Sequence, residues 1–173
     1  PDGWLKPARA VADDAIDQLV AEDGSFRDGT PVGSGLLDRP LYPIGTNAEM
    51  ANALLDLAAL TGDARYGTVA TEALAAFAGA YDRMGVEAAE YATACARTHY
   101  DPLIVRTPPA ETDLHRAALR IADHEKVVVP GKRDDAVVVR AGEATSPAET
   151  PAELLDRAGD GPAPCPHSPP RSV

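Results

Sequence analysis

Apolar and polar positions divide the chain into two unlike halves, with the change of texture near Asp101. In residues 7–21, Val11, Ile16, Leu19 and Val20 fall on one side of a helical wheel and Pro7 suits a first turn, so an amphipathic helix is expected, ending before Asp23-Gly24. A second stripe, Met50, Leu54, Leu57, Ala58 and Thr61, recurs at three- and four-residue spacing. Thr46 or Asn47 is its N-cap candidate, Glu49 a capping partner and Gly62 its terminating glycine. Asp63 then caps a third helix whose stripe runs Tyr66, Val69, Ala70, Ala73, Leu74, Phe77 and Tyr81. The Gly62-Asp63 junction is short enough to make these two helices an antiparallel hairpin. An Ala-rich segment over 86–98 supplies one more helix.

Beyond Asp101 the period shortens to that of strands. Leu103-Ile104-Val105 and Lys126-Val127-Val128-Val129 read as strands flanking a helix over 112–122, a parallel crossover of right-handed sense. After the turn Pro130-Gly131-Lys132-Arg133-Asp134-Asp135, residues 136–140 form a third strand, expected antiparallel to the second. The expected fold is mainly α, in three parts: helical hairpins over 1–100, a small β-α-β-β unit packed on the helices over 101–142, and a Pro-rich tail over 143–173. That tail reads as irregular apart from a short helix over 151–157.

Composition narrows the function classes. The 173 residues carry 16 basic against 27 acidic side chains, a net charge of -11. Such a field repels phosphate backbones, and no Lys/Arg cluster interrupts it, so nucleic acid is not an expected partner. No apolar run approaches the ~20 residues of a membrane helix and no signal-peptide pattern opens the chain, so a cytoplasmic protein without a membrane partner is expected. Three Lys against 13 Arg, abundant Ala and the acidic surplus point to a salt-loving host. A GC-rich genome is the alternative, although it accounts for Arg and Ala better than for the acid.

Chemistry is sparse. Cys95 and Cys165 are too far apart for a CxxC motif, and Cys95 lies in a helical pattern where a small buried thiol is the ordinary outcome. Cys165-Pro166-His167 lacks the further ligands that zinc needs, so neither metal nor cofactor is expected. His115 reads as a solvated neighbour of Asp113 and Arg116, and His99 and His124 as residues at helix exits. Glycine-rich phosphate loops and the GxSxG elbow are missing. The long connection 23–43 holds Gly24, Gly29, Gly33 and Gly35 with Pro31, Pro40 and Pro43. Its length marks it as functional or disordered. Asp28, Asp38, Tyr42, Thr46 and Asn47, in or beside this loop, are the candidates for holding sugar hydroxyls or small anions at a helix N-terminus. Against that, Asp28-Gly29 and Asp38-Arg39-Pro40 also read as plain turns.

Several ordered features resemble a known family. They are Asp23-Gly24-Ser25-Phe26-Arg27-Asp28, then Pro43-Ile44-Gly45-Thr46-Asn47-Ala48, the run Leu54 to Asp63, Tyr66, and Ala70 through Phe77. Together they resemble the spermatogenesis-associated protein 20 family, which includes the thioredoxin-containing YyaL proteins. The resemblance spans residues 8–140 and extends weakly to Cys165 and Pro169-Pro170. Ser25, Phe26 and Asp28 match the family's first loop, with Arg27 where an aromatic is usual. Pro43 and Gly45 match its second, with Ile44, Thr46 and Asn47 departing from its order. Of the two cysteines the family usually shows near its C-terminus, Cys165 alone is present.

The resemblance implies a C-terminal part of an (α/α)6 toroid similar to six-hairpin glycosidases and N-acylglucosamine 2-epimerases. The N-terminal thioredoxin-like domain and the remaining toroid are then the expected partners. The start Pro1-Asp2-Gly3-Trp4 has no initiator Met, so a piece of a longer protein is expected, with apolar hairpin faces left uncovered. Two functions follow from the resemblance. One is a non-catalytic helical scaffold for the thioredoxin-like domain in a redox or quality-control setting. The other is a carbohydrate-binding or carbohydrate-active toroid with substrate at Asp28, Tyr42, Thr46 and Asn47. Neither a proton-abstracting His nor a carboxylate pair is identifiable, so enzyme and scaffold both stay open. Thermal stability should climb steeply from low to molar KCl if the acidic surface is a halophilic one; a flat salt response would contradict that reading.

Overall fold

A computed structural model describes residues 2–123 and 125–159. The chain is mainly α with a small four-stranded mixed sheet. In chain order the elements are α1 (Asp2–Leu19), α2 (Ile44–Thr61), α3 (Ala64–Ala75), α4 (Ala88–Arg97), β1 (Leu103–Thr107), α5 (Asp113–Arg120), β2 (Lys126–Pro130), β3 (Val137–Arg140), β4 (Glu143–Ala144) and α6 (Pro151–Gly159).

The helical half forms around small residues. Ala48, Ala51, Ala70, Ala73 and Ala94 are fully buried, and they let α2, α3 and α4 approach closely around Leu54, Tyr66 and Phe26. The α2–α3 hairpin turns as its sequence dictates. Gly62 adopts a left-handed φ of 74° while its N–H donates to the Ala58 carbonyl, and the Asp63 carboxylate accepts from the Arg65 N–H. Helix α2, however, starts at Ile44 with Pro43 before it and no side-chain cap, so Thr46 and Asn47 sit inside its first turn. The Asn47 side chain is drawn elsewhere, as described below.

Helix α1 begins well before residue 7, with Pro7 inside it. Leu5, Ala12, Ile16 and Leu19 pack on the helical core, whereas Val11 is 69% exposed and shares an outer stripe with Ala8 and with Trp4, 86% exposed. The four apolar residues expected on one face therefore divide, because Val11 lies a quarter-turn away from Ala12. Polar contacts complete the attachment: Asp13 takes both an Arg65 ion pair and the Tyr66 hydroxyl, the latter at 2.9 Å.

In the sheet the order is β2-β1-β3-β4. β1 and β2 are parallel and joined by α5, as the period change predicts. β3 is antiparallel to β1, pairing Ile104 with Val139 and Arg106 with Val137, and does not adjoin β2. The connection 131–136 spans one strand instead of making a tight hairpin, and the Gly131 N–H bonds the Thr107 carbonyl as it crosses. β1 becomes the central strand, with Leu103, Val105 and Thr107 buried. Leu114, Ala118, Val138, Ala148 and Leu154 close this second core. Residues 143–159 thus belong to the sheet unit, through β4, an Ala136–Ala148 bridge and a fully buried Leu154 on α6, and are not an irregular tail. The Pro-rich stretch with Cys165 and His167 lies outside the described residues.

Arg97, in the last turn of α4, links the two cores. Its Nη1 donates to Asn52 Oδ1 at 2.9 Å, Nη2 to Asp56 Oδ1 at 2.5 Å, and Nε to Glu125 Oε2 at 3.0 Å. Replacing Arg97→Met should cost about 2 kcal/mol in urea unfolding, the scale for unmaking charge-assisted hydrogen bonds. Arg116→Met, which removes the exposed pair with Asp113, should cost less than about 0.5 kcal/mol.

Candidate functional site

The loop between α1 and α2 is held by a buried amide. Asn47 is fully buried: Oδ1 accepts from the Phe26 N–H at 2.6 Å, while Nδ2 donates to the carbonyls of Phe26 and Pro43, each at 2.9 Å. These bonds pin the loop to the start of α2 and set Phe26, 1% exposed, into the helical core. Ahead of it the Asp23 carboxylate accepts from the Ser25 hydroxyl at 2.6 Å and the Ser25 N–H at 3.0 Å, which lowers its pKa. Gly24 adopts φ +89°, a conformation that favours glycine, and a Cβ there would sit tightly, 3.2 Å from the Glu72 backbone.

Asp28 closes the wide part of the same loop. Its N–H donates to the Leu41 carbonyl, and its Oδ1 accepts from the Leu41 N–H, both at 2.9 Å. The carboxylate also lines a recess of about 540 Å3 formed by the loop itself, with Thr30, Arg39 and Leu41. Tyr42, 43% exposed, faces a different and smaller recess beside Ile44, Phe77 and Met84. Thr46 is exposed on the first turn of α2, and Asp38 is exposed. The five candidate residues therefore share a stretch of chain without lining one pocket, and both polar atoms of the Asn47 amide are engaged.

A larger concavity, about 800 Å3, lies between the α2–α3 hairpin and the sheet. Leu55, Ala58 and Ile104 form apolar wall, and Thr68, Thr71, Tyr100, Glu72, Asp101 and the Arg97–Glu125 pair supply polar groups. Burial opposes the Arg97 charge, but Asp56 and then Glu125 outweigh it and leave the guanidinium pKa above its ordinary value. This groove was not legible from spacing, since its walls come from α2, α3, α4, β1 and connecting segments.

His115 is 8% exposed rather than solvated, and Nδ1 lies 2.9 Å from Thr107 Oγ1. Thr107 Oγ1 is also 3.0 Å from the Pro108 carbonyl, to which it donates. Its neighbour Arg116 turns outward to Asp113, and the side of α5 carrying Leu114, Ala118 and His115 is the buried one. Thr107 is fully buried, and the pair ties α5 to the end of β1. His99 is exposed just past α4, and His124 lies outside the described residues. Cys95 is half-buried against the helical core. Among the described residues no group of three or more His, Cys, Asp or Glu is placed to hold a metal ion, and no helix is long and apolar enough to cross a membrane.

No family model, curated protein or solved structure matches the chain.

Replacing Asn47→Ala should destabilise the chain by about 2–3 kcal/mol, because the Phe26 amide loses its partners in a buried place. Limited proteolysis should show earlier cleavage within 27–42. A second expectation concerns Tyr91, whose hydroxyl donates to the Leu74 carbonyl at 2.8 Å. Burial, with a smaller contribution from Cys95, pushes its pKa from 10.0 to about 12. The unfolded phenol ionises first, so the stability Tyr91 contributes is complete below pH 10 and is lost as pH rises toward 12. Ultraviolet titration should show a late phenolate that Tyr91→Phe removes.

Proposed function

We propose that the chain is a non-catalytic helical region of a larger, thioredoxin-domain-containing protein of the spermatogenesis-associated protein 20 kind, serving as a scaffold in a cytoplasmic redox or quality-control setting. In this reading the α2–α3 hairpin and α1 are successive pieces of a toroid of helical hairpins. The absent thioredoxin-like domain and remaining hairpins are the partners, and no cofactor is required.

The observation that carries the reading is how the loop polar groups are used. Asn47 spends its amide on Phe26 and Pro43, and Asp28 spends a carboxylate oxygen on Leu41, so the loop is stitched together rather than presented to a ligand. The outer stripe of α1, Trp4, Ala8 and Val11, supports it, being an apolar strip at helical spacing of the kind an adjoining hairpin covers. A carbohydrate-binding or carbohydrate-active toroid is the second reading, favoured by the recess that Asp28, Thr30 and Arg39 line.

A thermal-shift screen of the chain in molar KCl against sugars and sugar phosphates, beside Asp28→Ala, separates the two. The scaffold reading expects no sugar-dependent shift in a cooperatively folding sample. Stabilisation by a sugar that disappears in Asp28→Ala would overturn it and place a binding site at the loop.

A further inference from the structure

The sheet has two unlike edges. On one side β4 is two residues long, and the chain beyond it folds back through the Ala136–Ala148 bridge. On the other, β2 pairs with β1 alone among the described residues, leaving the five-residue run Lys126-Val127-Val128-Val129-Pro130 at the border. An unpaired border of β-branched residues is a template for a further strand. Natural edges are commonly guarded by an outward lysine or by a proline; Pro130 closes only the end of this strand, so the free border is Lys126 to Val129. Here Lys126 is turned away from that task, its Nζ donating to the carbonyls of Leu119 at 2.9 Å and Ile121 at 2.8 Å.

The charge around the strand matters as much as its shape. A chain of net charge -11 repels its own copies. Between residues 123 and 140, however, Asp123, Glu125, Asp134 and Asp135 are balanced by Lys126, Lys132, Arg133 and Arg140. The repulsion is locally cancelled where the edge lies. Antiparallel pairing of β2 with itself about Val128 is also self-complementary, placing Val127 opposite Val129 of the other copy at both ends of a two-fold axis. We infer that β2 is a dimerisation edge, and that two copies of the chain join their sheets across it into one eight-stranded sheet.

Val128 packs into the sheet core, whereas Val127 and Val129 lie on the opposite face beside Ile104 and are half-buried, so they can be exchanged in pairs. Sedimentation velocity on the full chain, over a wide concentration range and in the least KCl that supports cooperative unfolding, reads the association directly. The wild type should reach twice the 18.0 kDa chain mass. The double variant Val127→Glu/Val129→Glu sets carboxylate against carboxylate across the axis and should remain at 18.0 kDa. Val127→Lys/Val129→Glu alters the same two positions but sets opposite charges face to face, and should dimerise. Circular dichroism checks that both variants are folded. A monomeric wild type at every concentration overturns the inference, as does a same-sign variant that still dimerises or a folded opposite-sign variant that does not.

Discussion

The structure depends on one guanidinium. Arg97 stands where the helical core built on Leu54 and Tyr66 meets the sheet core built on Val105 and Leu154, and its donors reach two residues of α2 and Glu125, the residue before β2. A guanidinium suits that place because its planar fork serves three acceptors in fixed directions without giving up its charge. Its side chain is 18% exposed, as is that of Glu125, so this pair is shielded from solvent more than the Asp56 carboxylate, which is 54% exposed. Glu125 is therefore the partner that matters most to the join, and Asn52 and Asp56 orient the fork.

A second constraint acts on the loop that carried the functional expectation. Its length marks it as worth attention, and it is indeed built with care, but toward packing. Asn47 makes an internal mimic of a strand pairing with Phe26, Asp23 closes a turn on Ser25, and Asp28 closes another on Leu41. Asn47, Asp23 and one oxygen of Asp28 thereby satisfy backbone groups that an irregular segment cannot pair by itself. The polar chemistry of the loop is what a long connection needs in order to lie against a helical hairpin. The dimer edge proposed at β2 lies in the sheet unit, away from that loop, so it leaves the loop reading independent.

Much of the helical half was legible because periodicity and punctuation coincide there. Gly62-Asp63 terminates one helix and caps the next, and both neighbours carry strong stripes. The β-α-β crossover was legible from the change of period alone. What was hidden depended on contacts distant in sequence. Asn47 reads as a cap because it follows a proline and a glycine, yet a partner 21 residues earlier captures it. His115 reads as solvated beside two charged residues, but α5 is turned so that Leu114, His115 and Ala118 share its inner side. β3 pairs with β1 rather than β2 because six connecting residues can cross a strand, a choice that no local signal encodes. Leu154 and Ala148, in a segment whose Pro, Ser and Thr content suggests irregularity, complete the sheet core because only one or two apolar residues are needed to close so small a face.

If the Arg97 join makes the two cores one cooperative unit, amides in both must open together. Native-state hydrogen exchange on the unmodified chain, comparing α2 amides at Leu54 to Leu57 with β1 amides at Ile104 and Val105, tests this most directly. The account predicts one opening free energy and one denaturant dependence for both sets. A sheet unit that exchanges through its own lower-energy opening while α2 stays protected would contradict it.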